Sequence, residues 1–62
     1  MTLKEFLEMN KNNSLDIYIY DNQGVYLMCQ DKKFFLKEDV FLDEVVLSFE
    51  LDDNDFYIKL DF

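Results

Sequence analysis

The sequence contains no histidine, arginine, alanine, proline or tryptophan, and it has one glycine and one cysteine in 62 residues. The single cysteine, Cys29, excludes an internal disulfide, and the lack of histidine removes an ordinary zinc site. Acid–base catalysis most often uses histidine, and phosphate handling favours arginine or a glycine-rich loop. These absences argue against an enzyme and against a bound metal or cofactor.

The length predicts one small domain over residues 1–62. A domain of this size buries only about 60% of its unfolded surface, so its stability is marginal unless something else contributes. Without a disulfide or a metal, we expect oligomerisation or a partner to contribute. No apolar run approaches the roughly 20 residues of a membrane helix and no signal peptide is visible. One unpaired cysteine fits a reducing compartment, so we expect a cytoplasmic location.

The net charge is −8. A field of this sign repels nucleic acids and anionic membranes and speeds encounter with basic surfaces. We therefore expect no direct binding to nucleic acid or membrane, and we expect a partner with a basic surface, such as a nucleic-acid-binding protein. Half of the residues are hydrophobic, including seven Phe and four Tyr, which is too apolar for an acidic disordered tail.

The periodic patterns predict a helix, a hairpin, a crossover and a second hairpin. Thr2 and Glu5 form a capping box in MTLKEFLEMN, which has apolar residues at helical spacing. The turns DNQG and DDND each separate two alternating runs, as expected for hairpins. Residues 31–43 are too apolar for a plain loop, so we expect a short helix or an irregular crossover, and Asp31 could cap the helix. The predicted fold class is α+β, with the N-terminal helix packed on one face of a small antiparallel sheet of two β-hairpins (about four strands).

The same alternation divides the strand residues between two faces. The predicted core comprises Leu3, Phe6, Leu7, Leu15, Ile17, Ile19, Val25, Leu27, Val45, Leu47, Phe49, Phe56, Ile58 and Leu60. Cys29 falls on the inward face as a small apolar filler. The opposite face is predicted to hold Asp16, Tyr18, Tyr20, Tyr26, Met28, Gln30, Val46, Ser48, Glu50, Tyr57, Lys59 and Asp61.

All four tyrosines therefore fall on one predicted face beside a methionine. Tyrosine is enriched at binding hot spots, because its ring is large and rigid and its hydroxyl forms hydrogen bonds. The predicted partner-binding residues on this face are Tyr18, Tyr20, Tyr26, Met28 and Tyr57. Two alternatives remain: tyrosine also favours solvated strands, and the face could mediate self-association. Base stacking on RNA would need basic residues around the rings, and this face has one lysine.

Residues 38–55 hold eight carboxylates and no lysine or arginine: Glu38, Asp39, Asp43, Glu44, Glu50, Asp52, Asp53 and Asp55. Carboxylates on a rigid scaffold can imitate a row of phosphates and compete for the lysines and arginines of a nucleic-acid groove. These eight are the second predicted partner-binding group. Alternatively, they solvate turns and protect edge strands from aggregation. DDND lacks the spacing of a calcium-binding loop, so we expect no metal site there.

The stretches MTLKEFLEM, DIYIYDNQG and EVVLSFELDDNDFYIKL together resemble a group of short, uncharacterised acidic proteins of phages and mobile elements in low-GC bacteria. The resemblance covers most of the chain and includes no functional motif. As a class, the chain is also similar in size, charge and composition to anti-CRISPR and other anti-defence inhibitors, several of which mimic nucleic acids. No residue roles are carried over from either resemblance.

These observations lead to a first hypothesis: a small acidic inhibitor from a phage or mobile element, acting in the cytoplasm of a bacterial host cell. It would block a host defence or nucleic-acid-handling protein through its acidic, tyrosine-bearing surface. The alternative hypothesis is a homo-oligomeric structural or accessory protein that uses the tyrosine face for self-association. In either case we expect a homodimer or a higher oligomer.

Overall fold

The first helix, α1, begins at the predicted capping box. The computed structural model describes residues 1–11 and 14–62. The polar run NKNNS at residues 10–14, whose composition predicts the end of the first helix, therefore lies partly outside the described residues. The elements are α1 (Leu3–Met9), β1 (Asp16–Tyr20), β2 (Tyr26–Asp31), α2 (Lys32–Glu38), β3 (Val46–Asp52) and β4 (Asp55–Leu60). The α+β class, the N-terminal helix and the two hairpins are confirmed, and the crossover contains a helix.

The four strands form one sheet in the order β2-β1-β4-β3. Each hairpin is antiparallel, as predicted, but the two central strands β1 and β4 are parallel. The sheet is therefore mixed, which corrects the expectation of a wholly antiparallel sheet. The reason is the crossover: it takes the chain from the β2 edge to the β3 edge, so that β4 returns beside β1. The alternation of apolar and polar residues along a strand does not indicate whether the neighbouring strand runs parallel or antiparallel to it.

The start of α1 is fixed by its capping box and by the crossover. At its start, the amide of Glu5 donates to Thr2 Oγ1 and the amide of Thr2 donates to Glu5 Oε1, which completes the capping box. The amides of Leu3 and Lys4 donate to backbone carbonyls of residues 44 and 42 in the crossover. Since the first amides of a helix have no partner within the helix, these bonds satisfy them. The crossover thus holds α1 in place.

The second helix, α2, follows β2 without a linker. The Asp31 carboxylate accepts a hydrogen bond from the amide of Phe34 at 2.8 Å, as an N-cap does. Asp39 ends the helix in the left-handed conformation, with φ of 54°. Between these caps, Phe35 is fully buried. The short helix is therefore fixed to the sheet by one large side chain.

The core lies between the helices and the two central strands. Its buried residues are Leu3, Phe6, Leu7, Leu15, Ile17, Ile19, Phe35, Leu42, Phe56, Ile58 and Leu60. We call the sheet face toward these residues the inner face and the opposite one the outer face. Phe35 and Leu42 were not predicted as core, because the crossover has no clear periodicity.

Five predicted core residues are exposed instead: Val25, Leu27, Val45, Leu47 and Phe49. They belong to β2, β3 and the residues just before these strands, at the two edges of the sheet. The short helices cover the centre of the sheet, and they leave its edges open. The alternation of apolar residues was therefore a poor guide to burial in the edge strands.

A register shift in the first hairpin reverses the faces of part of β2. The shift lies between Ile19 and Tyr20, so that Met28 stands opposite Ile19 and Cys29 opposite Tyr18. Opposed residues share a face. Met28 therefore lies on the inner face and packs against the core, and Cys29 lies on the outer face. The predicted faces of Met28 and Cys29 were wrong, since a bulge inserts one residue and inverts the alternation. The predicted face of Gln30, which stands opposite Ile17 of the core, was wrong for the same reason.

A second shift affects β3, between Val46 and Ser48. Val46 stands opposite Leu60 and packs against the core, whereas alternation placed Val46 on the outer face. Beyond the shift, Ser48 and Glu50 lie on the outer face, as predicted. Among the described residues, no helix is long and apolar enough to cross a membrane.

Candidate binding surface on the outer face

All four tyrosines meet at the centre of the outer face. Their ring centroids are 4.9 Å apart for Tyr18–Tyr57, 6.5 Å for Tyr57–Tyr20, 5.7 Å for Tyr20–Tyr26 and 6.3 Å for Tyr26–Tyr18. The four contacts form a closed circuit, which we call the tyrosine cluster. Aromatic pairs at these distances attract one another beyond the area that they bury. The rings therefore hold one another in place.

The strand register brings these rings together. In the parallel pair, Tyr18 stands opposite Tyr57; in the first hairpin, Tyr20 stands opposite Tyr26. Three strands thus contribute to one cluster, and both central strands are among them. Tyr26 is 53% exposed, and the other three rings are half-buried. The cluster is a rigid aromatic patch that remains accessible to a partner.

Tyr18 stands opposite Cys29 across the first hairpin, on the outer face. The two side chains lie close enough for the charge of one to act on the other. The negative charge of the Cys29 thiolate, followed by that of Asp55, raises the pKa of Tyr18 to about 12. Burial raises the pKa of the Cys29 thiol. Burial, then the carboxylates of Asp55 and Asp52, raise the pKa of Tyr57. All three groups are thus uncharged where proteins normally work.

One end of the outer face carries a row of four aspartates. Asp31, Asp16, Asp55 and Asp52 stand opposite one another in that order, one on each strand. We call them the aspartate row. Like charges opposite each other on neighbouring strands destabilise a sheet. Four aspartates side by side therefore cost stability, and sequence features that cost stability are found most often at functional sites.

Between the cluster and β3 lies an open groove of about 620 Å³. Tyr20 and Tyr57 line one side, and Ser48 and Glu50 of β3 line the other, with Lys59 between them. Lys59 is the only cationic residue in the four strands. The groove therefore offers tyrosine rings, hydroxyls and a carboxylate as contacts.

The structure divides the eight predicted carboxylates into two groups. Glu50, Asp52 and Asp55 lie on the outer face, and Asp53 occupies the adjoining turn with φ of 54°. The other four, Glu38, Asp39, Asp43 and Glu44, lie in and around the crossover that precedes β3. The first group lies in the second half of β3 and beyond it, whereas the second group precedes β3. One surface does not unite them.

Met28 is the predicted site residue that the structure moves away from the tyrosines, to the inner face. Conversely, Asp16 and Asp31 join the candidate surface, although they were not among the predicted binding residues. Only the parallel register of β1 and β4 places Asp16 beside Asp55, and nothing in the sequence pattern signals that register. The binding role of all these residues remains a prediction.

Within residues 1–11 and 14–62, no group of three or more His, Cys, Asp or Glu side chains could hold a metal ion. Comparison with models of protein families, with curated proteins and with solved structures finds no match.

Proposed function

We propose that this protein is a small, non-enzymatic inhibitor that binds the basic surface of another protein through its outer face. The partner is a defence or nucleic-acid-handling protein in the cytoplasm of a bacterial host, and the inhibitor comes from a phage or a mobile element. The observation that carries the proposal is the tyrosine cluster beside the aspartate row.

The tyrosine cluster and the aspartate row both favour a partner with cationic side chains. A guanidinium or ammonium group is attracted to the face of a tyrosine ring, and the attraction strengthens when the interface excludes water. The same groups form charge-assisted hydrogen bonds with carboxylates, and arginine does so with two bonds at once. An arginine-bearing surface can therefore stack on the tyrosine cluster while it pairs with the aspartate row. A nucleic acid would be repelled by the same carboxylates.

A complex of standard size would cover a modest share of this chain. A stable complex buries about 800 Å² on each partner, which is about one fifth of the 4139 Å² that this chain exposes. Because the strands already hold the rings in place, binding loses little side-chain entropy there. Occupying a basic groove would exclude the nucleic acid that normally binds in it, and this exclusion is the proposed mechanism of inhibition.

The experiment is an affinity capture from a lysate of a low-GC bacterium, with identification by mass spectrometry. The baits are the wild type, a Tyr18→Ser/Tyr20→Ser variant and an Asp16→Asn/Asp55→Asn variant. An Asp43→Asn/Glu44→Gln variant is the matched control, since it removes the same charge from the crossover. Each bait is washed at low and at high salt, and circular dichroism checks that each one is folded.

The proposal expects a nucleic-acid-binding or defence protein that the wild type and the crossover control retain. Both outer-face variants should lose it, and high salt should weaken the complex, since exposed charges are screened. The captured protein should also bind its nucleic acid less well when the wild type is added. Equal capture by all four baits, or recovery of the bait alone, would overturn the proposal.

A further inference from the structure

We propose that two copies of this chain pair through the free edge of β3, in antiparallel orientation, and form one continuous eight-stranded sheet. This interface differs from the tyrosine face that the sequence suggested for self-association. The first observation is the exposure of β3. Leu47, Phe49 and Leu51 are 50%, 57% and 56% exposed at alternate positions of one strand.

The second observation is the unpaired backbone of β3. Among the residues that the structure describes, β3 pairs with β4 alone, and it lies at the end of the sheet. The N-terminus covers only its beginning: Thr2 bridges Val45, and the amide of Val46 donates to the carbonyl of Met1. From residue 47 onward the edge is open. Such an edge, long and apolar, readily accepts another strand.

The other edge strand is a weaker candidate. In β2, Met28 and Cys29 are half-buried, and the strand leads directly into α2. The exposed apolar residues at its start, Tyr26 and Leu27, and Val25 just before it are adjacent in sequence and lie beside the turn. They do not form a stripe along the strand, whereas those of β3 do.

The charges of β3 favour a second copy of itself in one register. Residues that stand opposite each other must lie on the same face of the sheet, and neighbouring residues of a strand lie on opposite faces. In a symmetric antiparallel pair, one residue must therefore stand opposite its own copy, and the symmetry axis passes between these two residues. Centred on Phe49, the pairing places Leu47 opposite the partner copy's Leu51, and Ser48 opposite the partner copy's Glu50. Centred on Glu50, it would oppose two glutamates. Centred on Ser48, it would extend into the part covered by the N-terminus. Phe49 is therefore the centre.

This arrangement keeps the proposed binding surface free. The symmetry axis of an antiparallel pair is perpendicular to the sheet, so both tyrosine clusters lie on the same side of the eight strands. On the inner side, the two Phe49 rings meet, and each already contacts Phe6 of α1 at 4.8 Å between centroids. Each chain has a net charge of −8, so salt should strengthen this dimer by screening. The complex with a basic partner should respond to salt in the opposite way.

Sedimentation equilibrium tests the association. The proposal expects a mass of twice 7.6 kDa at micromolar concentration, and tighter association in added salt. Leu51→Lys should raise the dissociation constant about tenfold or more, because it breaks an apolar pair at the edge. Val25→Lys is the matched control: it makes the same charge change at a site that is also 56% exposed. Tyr18→Ser/Tyr57→Ser should still dimerise.

Disulfide formation tests the register without altering an apolar residue. In a Cys29→Ser background, Ser48→Cys and Glu50→Cys chains are mixed in equal amounts and oxidised. The proposal expects the mixed disulfide to exceed the two self-linked products together several-fold, since residues opposed across an antiparallel pair lie within disulfide reach, whereas random pairing would give equal amounts of mixed and self-linked product.

Three results would overturn the proposal. The first is a monomer at all concentrations up to about a millimolar, and the second is a dimer that the tyrosine variant abolishes and Leu51→Lys preserves. The third is a predominance of the Glu50→Cys self-linked product. None of these results bears on the capture of a basic partner, so this proposal and the proposed function can fail separately.

Discussion

Tyr18 and Tyr57 stack across the parallel pair of central strands, with ring centroids 4.9 Å apart and ring planes 21° apart. This contact joins the two hairpins on the outer face, while the core joins them on the inner face. Because each ring also contacts Tyr20 or Tyr26, the stack organises the whole tyrosine cluster. It links the topology of the sheet to the proposed function.

The stack should be measurable as an interaction energy. Changing Tyr18 and Tyr57 to serine, singly and together, gives a double-mutant cycle in urea denaturation. We expect the double variant to lose less stability than the sum of the single variants, since either change already removes the contact. Tyr57 with Phe34 of α2 is the control pair and should be additive. Additive losses for Tyr18 and Tyr57 would show that the rings do not stabilise each other.

The aspartate row should cost stability. Asp16 stands between Asp31 and Asp55, so Asp16→Asn removes two repulsions at once. We expect a gain of about 0.2–1 kcal/mol in the free energy of unfolding at low salt, and a smaller gain in 1 M NaCl. Asp43→Asn, in the crossover, makes the same change away from the row and should gain less. A loss of stability in Asp16→Asn would contradict the assigned repulsion.

Phe35 should be the residue of α2 on which the fold depends. It is fully buried, whereas its neighbour Phe34 is partly exposed. Phe35→Ala should cost about 3–5 kcal/mol, against a total stability of roughly 3–9 kcal/mol for a chain of this length. We expect it to be largely unfolded by circular dichroism. Phe34→Ala should stay folded, and equal effects of the two changes would contradict the placement of α2.

The titration of Tyr18 should depend on Cys29. The folded state raises its pKa from the ordinary value of 10.0 to about 12, so it favours the neutral phenol. This contribution to stability is complete below pH 10 and is lost as the pH rises toward 12. Cys29→Ala removes the largest cause, so the pKa of Tyr18 should fall. Carbon NMR of the labelled ring measures it, and an unchanged pKa would contradict the contact.

Local patterns in the sequence predicted most of the elements. The capping box of Thr2 and Glu5, the N-cap Asp31 and the positive φ of Gly24 at the first turn all follow from short-range chemistry. Alternation correctly placed the four tyrosines on one face. The register shift in β2 comes after Tyr26, so it does not change the face of Tyr26, and the other three tyrosines lie on β1 and β4. These features involve interactions between neighbours in the chain.

Long-range pairing determined what the sequence could not show. A single register shift places Met28 and Cys29 on the faces opposite to those predicted, and no residue type at this position indicates the shift. The aspartate row depends on the parallel alignment of Asp16 with Asp55. Asp16 and Asp55 align because the crossover takes the chain from β2 at one edge of the sheet to β3 at the other edge. The same alternation of apolar and polar residues would also be compatible with a different strand order. Two of the eight residues in the tyrosine cluster and the aspartate row, Asp16 and Asp31, thus became binding candidates only in the fold.

The central claim is that the outer face, and not the acidic crossover, binds basic side chains. The most direct test is a ¹⁵N-resolved NMR titration with a ten-residue polyarginine peptide, and with polylysine as the comparison. The account predicts shifts at Tyr18, Tyr57, Asp16 and Asp55, larger for arginine because it stacks on rings as well as pairing with carboxylates. Shifts centred on Glu38–Glu44, with the tyrosine cluster unmoved, would contradict it.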